Sequence, residues 1–230
     1  MSQEPRSEIE NPKSQIANPK SWGVYLVTDR HQAGGRSLLE VTREALRGGV
    51  RAIQLREKDL TTRELYHVAE SLLAATREAG AVLLINDRVD VAMAVSADGV
   101  HLRRASLAPK EVRELLGPGK LIGLSCHSTA DVREAAEAGV DFVVLGPIFD
   151  TPSKAAYGPA LTTAALLDAR AVTSLPILAI GGIKQAQVRD IMEAGADGVA
   201  VISAVMSAPD PAAAASELLA AVAEGRRLVK

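Results

Sequence analysis

From residue 23 onward, short apolar runs alternate with longer stretches whose apolar residues recur every three or four positions. The short runs are uninterrupted by charge, as strands buried on both faces are, and the longer ones read as amphipathic helices. The pattern predicts strands at 23–28, 52–55, 82–85, 99–102, 121–124, 142–146, 177–180 and 198–202. It predicts helices at 38–48, 61–79, 89–95, 109–116, 129–138, 162–173, 185–194 and 211–226. Thr61 or Thr62 suits a helix N-cap, and Pro109 suits a first helical turn. Four helix exits carry a small residue followed by glycine: Gly48-Gly49, Ala79-Gly80, Ala138-Gly139 and Ala194-Gly195. Glycine there relieves the strain of a left-handed C-terminal turn. Eight evenly spaced strand–helix units predict an α/β fold, a single closed parallel (β/α)8 barrel of the TIM type, over an open doubly wound sheet. Residues 1–21 are polar, with prolines at 5, 12 and 19 and an imperfect seven-residue repeat, and are expected to form a disordered N-terminal tail. Residues 22–230 form the one expected domain.

Each apolar run ends in a polar break, and the sharpest is Gln54-Leu55-Arg56-Glu57-Lys58-Asp59. An unpaired charge buried in a barrel core costs several kcal/mol or more, so charge at a strand end marks a site. Comparable breaks are Asn86-Asp87, Ser125, Thr151 to Lys154, and Gly181-Gly182. In such barrels the chemistry sits at the C-terminal ends of the strands, and the last two loops often hold phosphate. Gly181-Gly182 and Ser203-Ala204 occupy those loops, where backbone N–H groups can approach an anion. Arg56, Lys58 and Lys154 would place positive charge at the same mouth. Two anion features imply ligands with two phosphorylated groups.

Asp87 can ligate Mg²⁺, which prefers oxygen donors, or can cap the helix after it. Asn86 can hydrogen-bond a ring or phosphate oxygen. Glu57 reads better as a salt-bridge partner of Arg56 or Lys58 than as a catalytic group. The stretch 146–154 is a long connection offering hydroxyls, a lysine and a rigid proline. His127 can serve as general acid or base, or be structural like His101. Cys126 reads as a small buried residue, and Trp22 and Met93 as packing residues.

Composition narrows the class. The chain is 47% hydrophobic and 23% charged with a formal net charge of −2, so no basic field favours nucleic acid. Aromatics at 3% exclude broad stacking platforms for single strands. A single cysteine forms no internal disulfide, and a reducing cytoplasm is expected. No apolar run reaches the roughly 18–20 residues of a membrane span, so no membrane association is expected. A homo-oligomer is compatible with all of this.

The residues of these breaks carry a resemblance. The stretches YLVTDR (25–30), QLREKD (54–59), LLINDRVDVA (83–92), ADGVHL (97–102), IGLSCHS (122–128), GPIFDTPSK (146–154), AIGGI (179–183) and GADGVAVISA (195–204) resemble the thiamine phosphate synthase family, whose relatives include thiazole tautomerases. The resemblance implies a transferase that joins a pyrimidine diphosphate to a thiazole phosphate with loss of pyrophosphate, in a dissociative step. It implies that Gln54, Leu55, Arg56, Glu57 and Lys58, with Asn86, Ser125 and Lys154, contact the pyrimidine diphosphate. Arg56, Lys58, Ser125 and Lys154 would do the chemistry. Thr151 and Ser153 would grip the thiazole, and Gly182, Ile202 and Ser203 would hold its phosphate. Asp87 would hold Mg²⁺ as the cofactor.

One departure matters. Where the family's synthases carry Gly-Gln-x-Asp after GVHL, this chain reads Arg103-Arg104-Ala105-Ser106, and Ser106 takes the place of the second Mg²⁺ carboxylate. Either arginine would then supply positive charge to the diphosphate directly, or both face solvent. The same departure leaves two alternatives open: a thiazole tautomerase using His127, and a non-catalytic thiazole phosphate-binding paralogue.

Overall fold

The computed structural model describes residues 18–151 and 159–228. Eight parallel strands pair in sequence order and close into a barrel, β8 returning to β1. They are β1 (Val24–Val27), β2 (Ala52–Leu55), β3 (Val82–Asn86), β4 (Gly99–Leu102), β5 (Leu121–Cys126), β6 (Phe142–Leu145), β7 (Ile177–Ile180) and β8 (Gly198–Val201). The helices between and after them are α1 (Leu38–Arg47), α2 (Thr62–Glu78), α3 (Val89–Val95), α4 (Pro109–Leu116), α5 (Thr129–Glu137), α6 (Ala164–Val172), α7 (Val188–Glu193), α8 (Ser203–Met206) and α9 (Pro211–Leu228). Thr61 is the N-cap of α2 and, with Glu64, completes a capping box.

Three differences from the sequence pattern are local. The predicted helix 185–194 begins as a 3-10 turn, Gln185–Gln187, before α7. The run after β8 breaks into the four-residue α8, too short to show a period. Residues 18–21, expected to end the tail, form a 3-10 turn in which the Asn18 side chain accepts from the Lys20 N–H. Residues 1–17 lie outside the described chain.

Side chains alternate between two apolar layers, as strand geometry dictates. One set, including Ile53, Leu55, Leu83, Ile85, Val100 and Cys126, packs outward against the helices. The other fills the lumen: Tyr25, Ala52, Leu84, Phe142, Leu178 and Ala200, plugged by Trp22. Trp22 meets Phe142 edge-on at 5.0 Å between centroids, and Tyr25 meets Phe142 at 5.6 Å. Trp22 is thus the packing residue its sequence context implies, whereas Met93 is half exposed on α3 and packs little. Cys126 is buried, and burial pushes its thiol up to about 12.

At the N-terminal end of the barrel a three-fold device recurs. Asp98, Asp141 and Asp197 stand just before β4, β6 and β8, and each accepts a hydrogen bond from a backbone N–H at the start of the preceding strand: Leu83 (2.8 Å), Ile122 (2.7 Å) and Ile177 (2.9 Å). Arg113 of α4 and Arg170 of α6 donate to Asp141 (2.7 Å) and Asp197 (2.6 Å). These bonds fix strand starts at one end and leave the other end free for chemistry.

Candidate functional site at the C-terminal mouth

The polar residues of the mouth follow from the same alternation. Gln54 lies on the lumen side of β2, because Ala52 two residues earlier lines the lumen. By the same parity Asn86 follows Leu84 on β3, and Ser125 stands between the outward Leu124 and Cys126 on β5. Three strands therefore deliver three neutral hydrogen-bonding side chains to one opening. Gln54 Nε2 donates to the Tyr25 hydroxyl at 3.1 Å. Burial raises the Tyr25 phenol well above its usual range, so it stays protonated.

His101 sits below Ser125, 2% exposed, with its Nε2 at 2.9 Å from Ser125 Oγ and its ring 5.9 Å from that of Tyr25. Its Nδ1 is buried without a hydrogen-bond partner. Burial first, and then the positive charge of Arg56, lowers the His101 pKa to about 3, so the ring is neutral at physiological pH. Its pairing with Ser125 places His101 in the site. The alternation of β4 carries that signal, since Val100 and Leu102 point outward and His101 between them must point in.

The charged run after β2 divides in two. Arg56 is half-buried and its charge is felt at His101, so it belongs to the mouth. Lys58 is exposed on the same loop. Leu55 and Glu57, expected with their neighbours to contact substrate, have structural partners of their own. Leu55 is buried in the layer between barrel and helices, on the opposite face from Gln54. The Glu57 side chain is 1% exposed and pairs with Arg30, at 3.2 Å, instead of the expected Arg56 or Lys58. It also accepts from Thr28 Oγ1 (2.8 Å) and from the Arg30 N–H (3.1 Å). The Arg56 N–H in turn donates to Thr28 Oγ1 at 2.9 Å. Arg30 completes the clasp with two bonds to Asp59, at 2.5 and 2.7 Å. Glu57 thus ties the loops after β1 and β2 together and holds Arg56 at the mouth.

Asp87 has a left-handed backbone, φ 64°, and its N–H donates to the His101 carbonyl at 2.9 Å. The N-cap of α3 is Arg88, so Asp87 does not cap that helix. Its Oδ1 accepts from Ser106 Oγ and its Oδ2 from Arg103 Nη2. Burial alone would raise its pKa, but these two hydrogen bonds and the arginine charge prevail and hold it below the usual carboxylate range. The donor set does not fit a resident Mg²⁺: there is one carboxylate, both its oxygens accept hydrogen bonds, and a neutral hydroxyl stands where a second carboxylate would be. Among the described residues no three His, Cys, Asp or Glu side chains group as metal ligands.

On the opposite rim, Gly182 has φ 65°, and a Cβ there would come within 2.8 Å of the Asp150 carbonyl and 2.9 Å of Phe149 Cβ. Only glycine fits, because the loop after β6 lies on it, bonded by the Ile148 N–H to the Ile180 carbonyl (2.8 Å) and the Phe149 N–H to the Gly181 carbonyl (3.1 Å). Ile202 is the N-cap of α8 and Ser203 its exposed first residue. The first N–H groups of a helix have no partner within it. The loop after β6 is cinched at its base, the Leu161 N–H meeting the Pro147 carbonyl at 2.8 Å and the Thr162 N–H the Ile148 carbonyl at 3.1 Å. Thr151 is half-buried at the edge of this loop, and Ser153 and Lys154 lie outside the described residues. His127, also at the mouth, is 2.6 Å from the Gly146 carbonyl through Nδ1.

The arrangement offers neutral hydrogen-bonding groups inside, fixed cations at one rim and backbone amides at the other. The chain is similar to known proteins along nearly the whole barrel. The family model for thiamine monophosphate synthase matches residues 24–205. A thiamine-phosphate synthase of Methanoculleus marisnigri is 47% identical over 209 residues, covering 89% of this chain and 99% of the other. One from Roseiflexus castenholzii is 46% identical over 195 residues, covering 85% and 86%. The solved structure of thiamine phosphate pyrophosphorylase from Pyrococcus furiosus superimposes with a TM-score of 0.82 at 37% identity, covering 91% of this chain and 98% of that one. The match spans every strand of the barrel, and on it the chain belongs to the thiamine monophosphate synthase family.

Proposed function

We propose that the chain joins a pyrimidinylmethyl diphosphate to a thiazole phosphate, forming thiamine phosphate and releasing pyrophosphate. The observation that carries this reading is the convergence of Gln54, Asn86 and Ser125 from three strands on one mouth, in a chain 46% identical to a thiamine-phosphate synthase. The C–O bond to the diphosphate breaks and its electron pair leaves with pyrophosphate. The lone pair of the thiazole nitrogen then forms the new C–N bond to the methylene carbon. No proton is removed in either step, which suits a site whose inner groups are neutral. The protein's task is to stabilise the leaving charge and to align the partners.

Arg56 and Lys58 take the diphosphate, joined by Lys154 from the loop after β6. Gln54 and Asn86 orient the pyrimidine. Ser125, fixed by His101, donates its hydroxyl to the departing oxygens. Gly182, Ile202 and Ser203 take the thiazole phosphate, and Thr151 and Ser153 are assigned to grip the thiazole. The low aromatic content and net negative charge suit small-molecule substrates over nucleic acid. No helix among the described residues is long and apolar enough to cross a membrane, and we assign the chain to the cytoplasm on its single cysteine.

One contact favours a second reading, isomerisation of a thiazole phosphate carboxylate. With Nδ1 engaged by the Gly146 carbonyl, Nε2 is the ring nitrogen of His127 left to exchange a proton with a substrate. Product analysis decides between the two. With both substrates and Mg²⁺ present, the synthase yields thiamine phosphate and pyrophosphate in equal amounts, and His127→Ala retains most of that activity. Isomerised thiazole without pyrophosphate, lost in His127→Ala, would establish the second reading instead.

A further inference from the structure

The loop after β4 closes on Asp87 with a cation already in place. The Ser106 N–H donates to the Arg103 carbonyl at 2.9 Å, and the Arg103 N–H donates to Ser106 Oγ at 2.8 Å. The same serine hydroxyl donates to Asp87 Oδ1, while the Arg103 guanidinium donates to Oδ2. Serine, arginine and aspartate thus form a closed triangle, and the hydrogen bond from Asp87 N–H to the His101 carbonyl anchors it to β4. A Mg²⁺ entering here would have to displace Arg103 and would find only one carboxylate.

A guanidinium carries five N–H donors in a planar fork. Asp87 engages one edge of it, which leaves donors for a second anion. Arg103, Ser106 and Ser125 line one cavity of about 280 Å³, with Asp131, Glu134 and Ala135 of α5 on its other side, so the arginine and the C-terminal end of β5 border the same space. Arg104 lines that cavity too, but its guanidinium pairs with Asp131 at 2.6 Å and is 75% exposed. Of the two arginines, Arg103 is the one paired with Asp87.

We propose that Arg103 is a diphosphate-binding residue occupying the role of a metal ion: Asp87 engages one side of its guanidinium, Ser106 holds its backbone and Asp87 in register, and the remaining N–H donors take the leaving diphosphate. This deepens the synthase reading and rests on it. A fixed guanidinium supplies one positive charge and directional donors without a soluble ion. The diphosphate affinity of this chain therefore survives removal of divalent metal, and Asp87 acts as an anchor instead of a ligand.

Calorimetric titration of inorganic pyrophosphate into the full chain tests this, first in EDTA and then in excess Mg²⁺. The wild type binds in EDTA. Arg103→Ala weakens that binding by about 10–100-fold, the loss of a charge-assisted hydrogen-bonding fork, and Mg²⁺ restores part of it because Asp87 is now open. Arg103→Lys, which keeps the charge without the fork, falls between the two. Unchanged binding by Arg103→Ala in EDTA overturns the proposal. Wild-type binding that appears only with Mg²⁺ also overturns it and leaves the synthase reading intact. No binding in either buffer overturns both.

Discussion

His101 is a histidine that the fold forbids to titrate in the usual range. Its pKa of about 3 lies below the ordinary 6.5, so on acidification the unfolded chain takes up a proton that the folded chain refuses. Stability from this residue is complete above about pH 6.5 and declines toward pH 3, by about 1.4 kcal/mol per pH unit. Urea unfolding at pH 7.5 and pH 5 of wild type and His101→Gln checks this. The wild type is expected to lose about 2 kcal/mol more than the variant over that interval, and an equal loss in both would contradict the assignment. The residue scale is also where the sequence needs the fold. The run 54–59 reads as one motif, but a strand turns every second side chain away from the lumen. Gln54 therefore faces the site, whereas Leu55 packs under the helices. Glu57 is a loop clasp, because its partner Arg30 is 27 residues away and no local pattern announces the pair. Asp87 offers a similar lesson: its partners Arg103 and Ser106 belong to the next loop, and only the closed barrel brings them together.

At the scale of elements, strands and helices were legible because each buries a repeating face. The predicted helices 89–95 and 109–116 match α3 and α4 residue for residue. The short α8 and the 3-10 turns were not, since three or four residues span about one period and cannot show it repeating. The aspartates before β4, β6 and β8 were legible as letters but not as a device, because their partners sit at the start of the preceding strand. Asp141 is the clearest of them, holding both the Ile122 N–H and Arg113. Asp141→Ala is expected to cost about 1–3 kcal/mol, the loss of hydrogen bonds to a charged acceptor, with kcat unchanged because the site is at the other end of the barrel. Denaturant midpoints and steady-state rates measured together check this. A changed rate at unchanged stability would mean that the two ends are coupled.

At the scale of the molecule, closure joins the two ends of the described chain. Helix α9 packs on α1 and α7, and Arg226 near its end donates to the carbonyls of Lys20 and Asp197. Leu218 is buried on the inner face of this helix, so Leu218→Ala is expected to cost about 2–5 kcal/mol. The loss appears as a lower midpoint of one cooperative transition, because the β1–β8 seam beneath cannot open without the rest of the ring. Two separate transitions would show that the last helix unfolds on its own. The barrel itself was readable from its eight repeats, while the chemistry at its mouth required knowing which side of each strand faces inward.

The lumen plug has an optical consequence. Trp22 is the sole tryptophan of the chain, and it lies against Tyr25 and Phe142 at the end of the barrel opposite the site. Its emission therefore reports whether the ring is closed, from a position that substrate does not touch. A titration that changes heat but not fluorescence has filled the mouth, and a titration that changes both has opened the barrel.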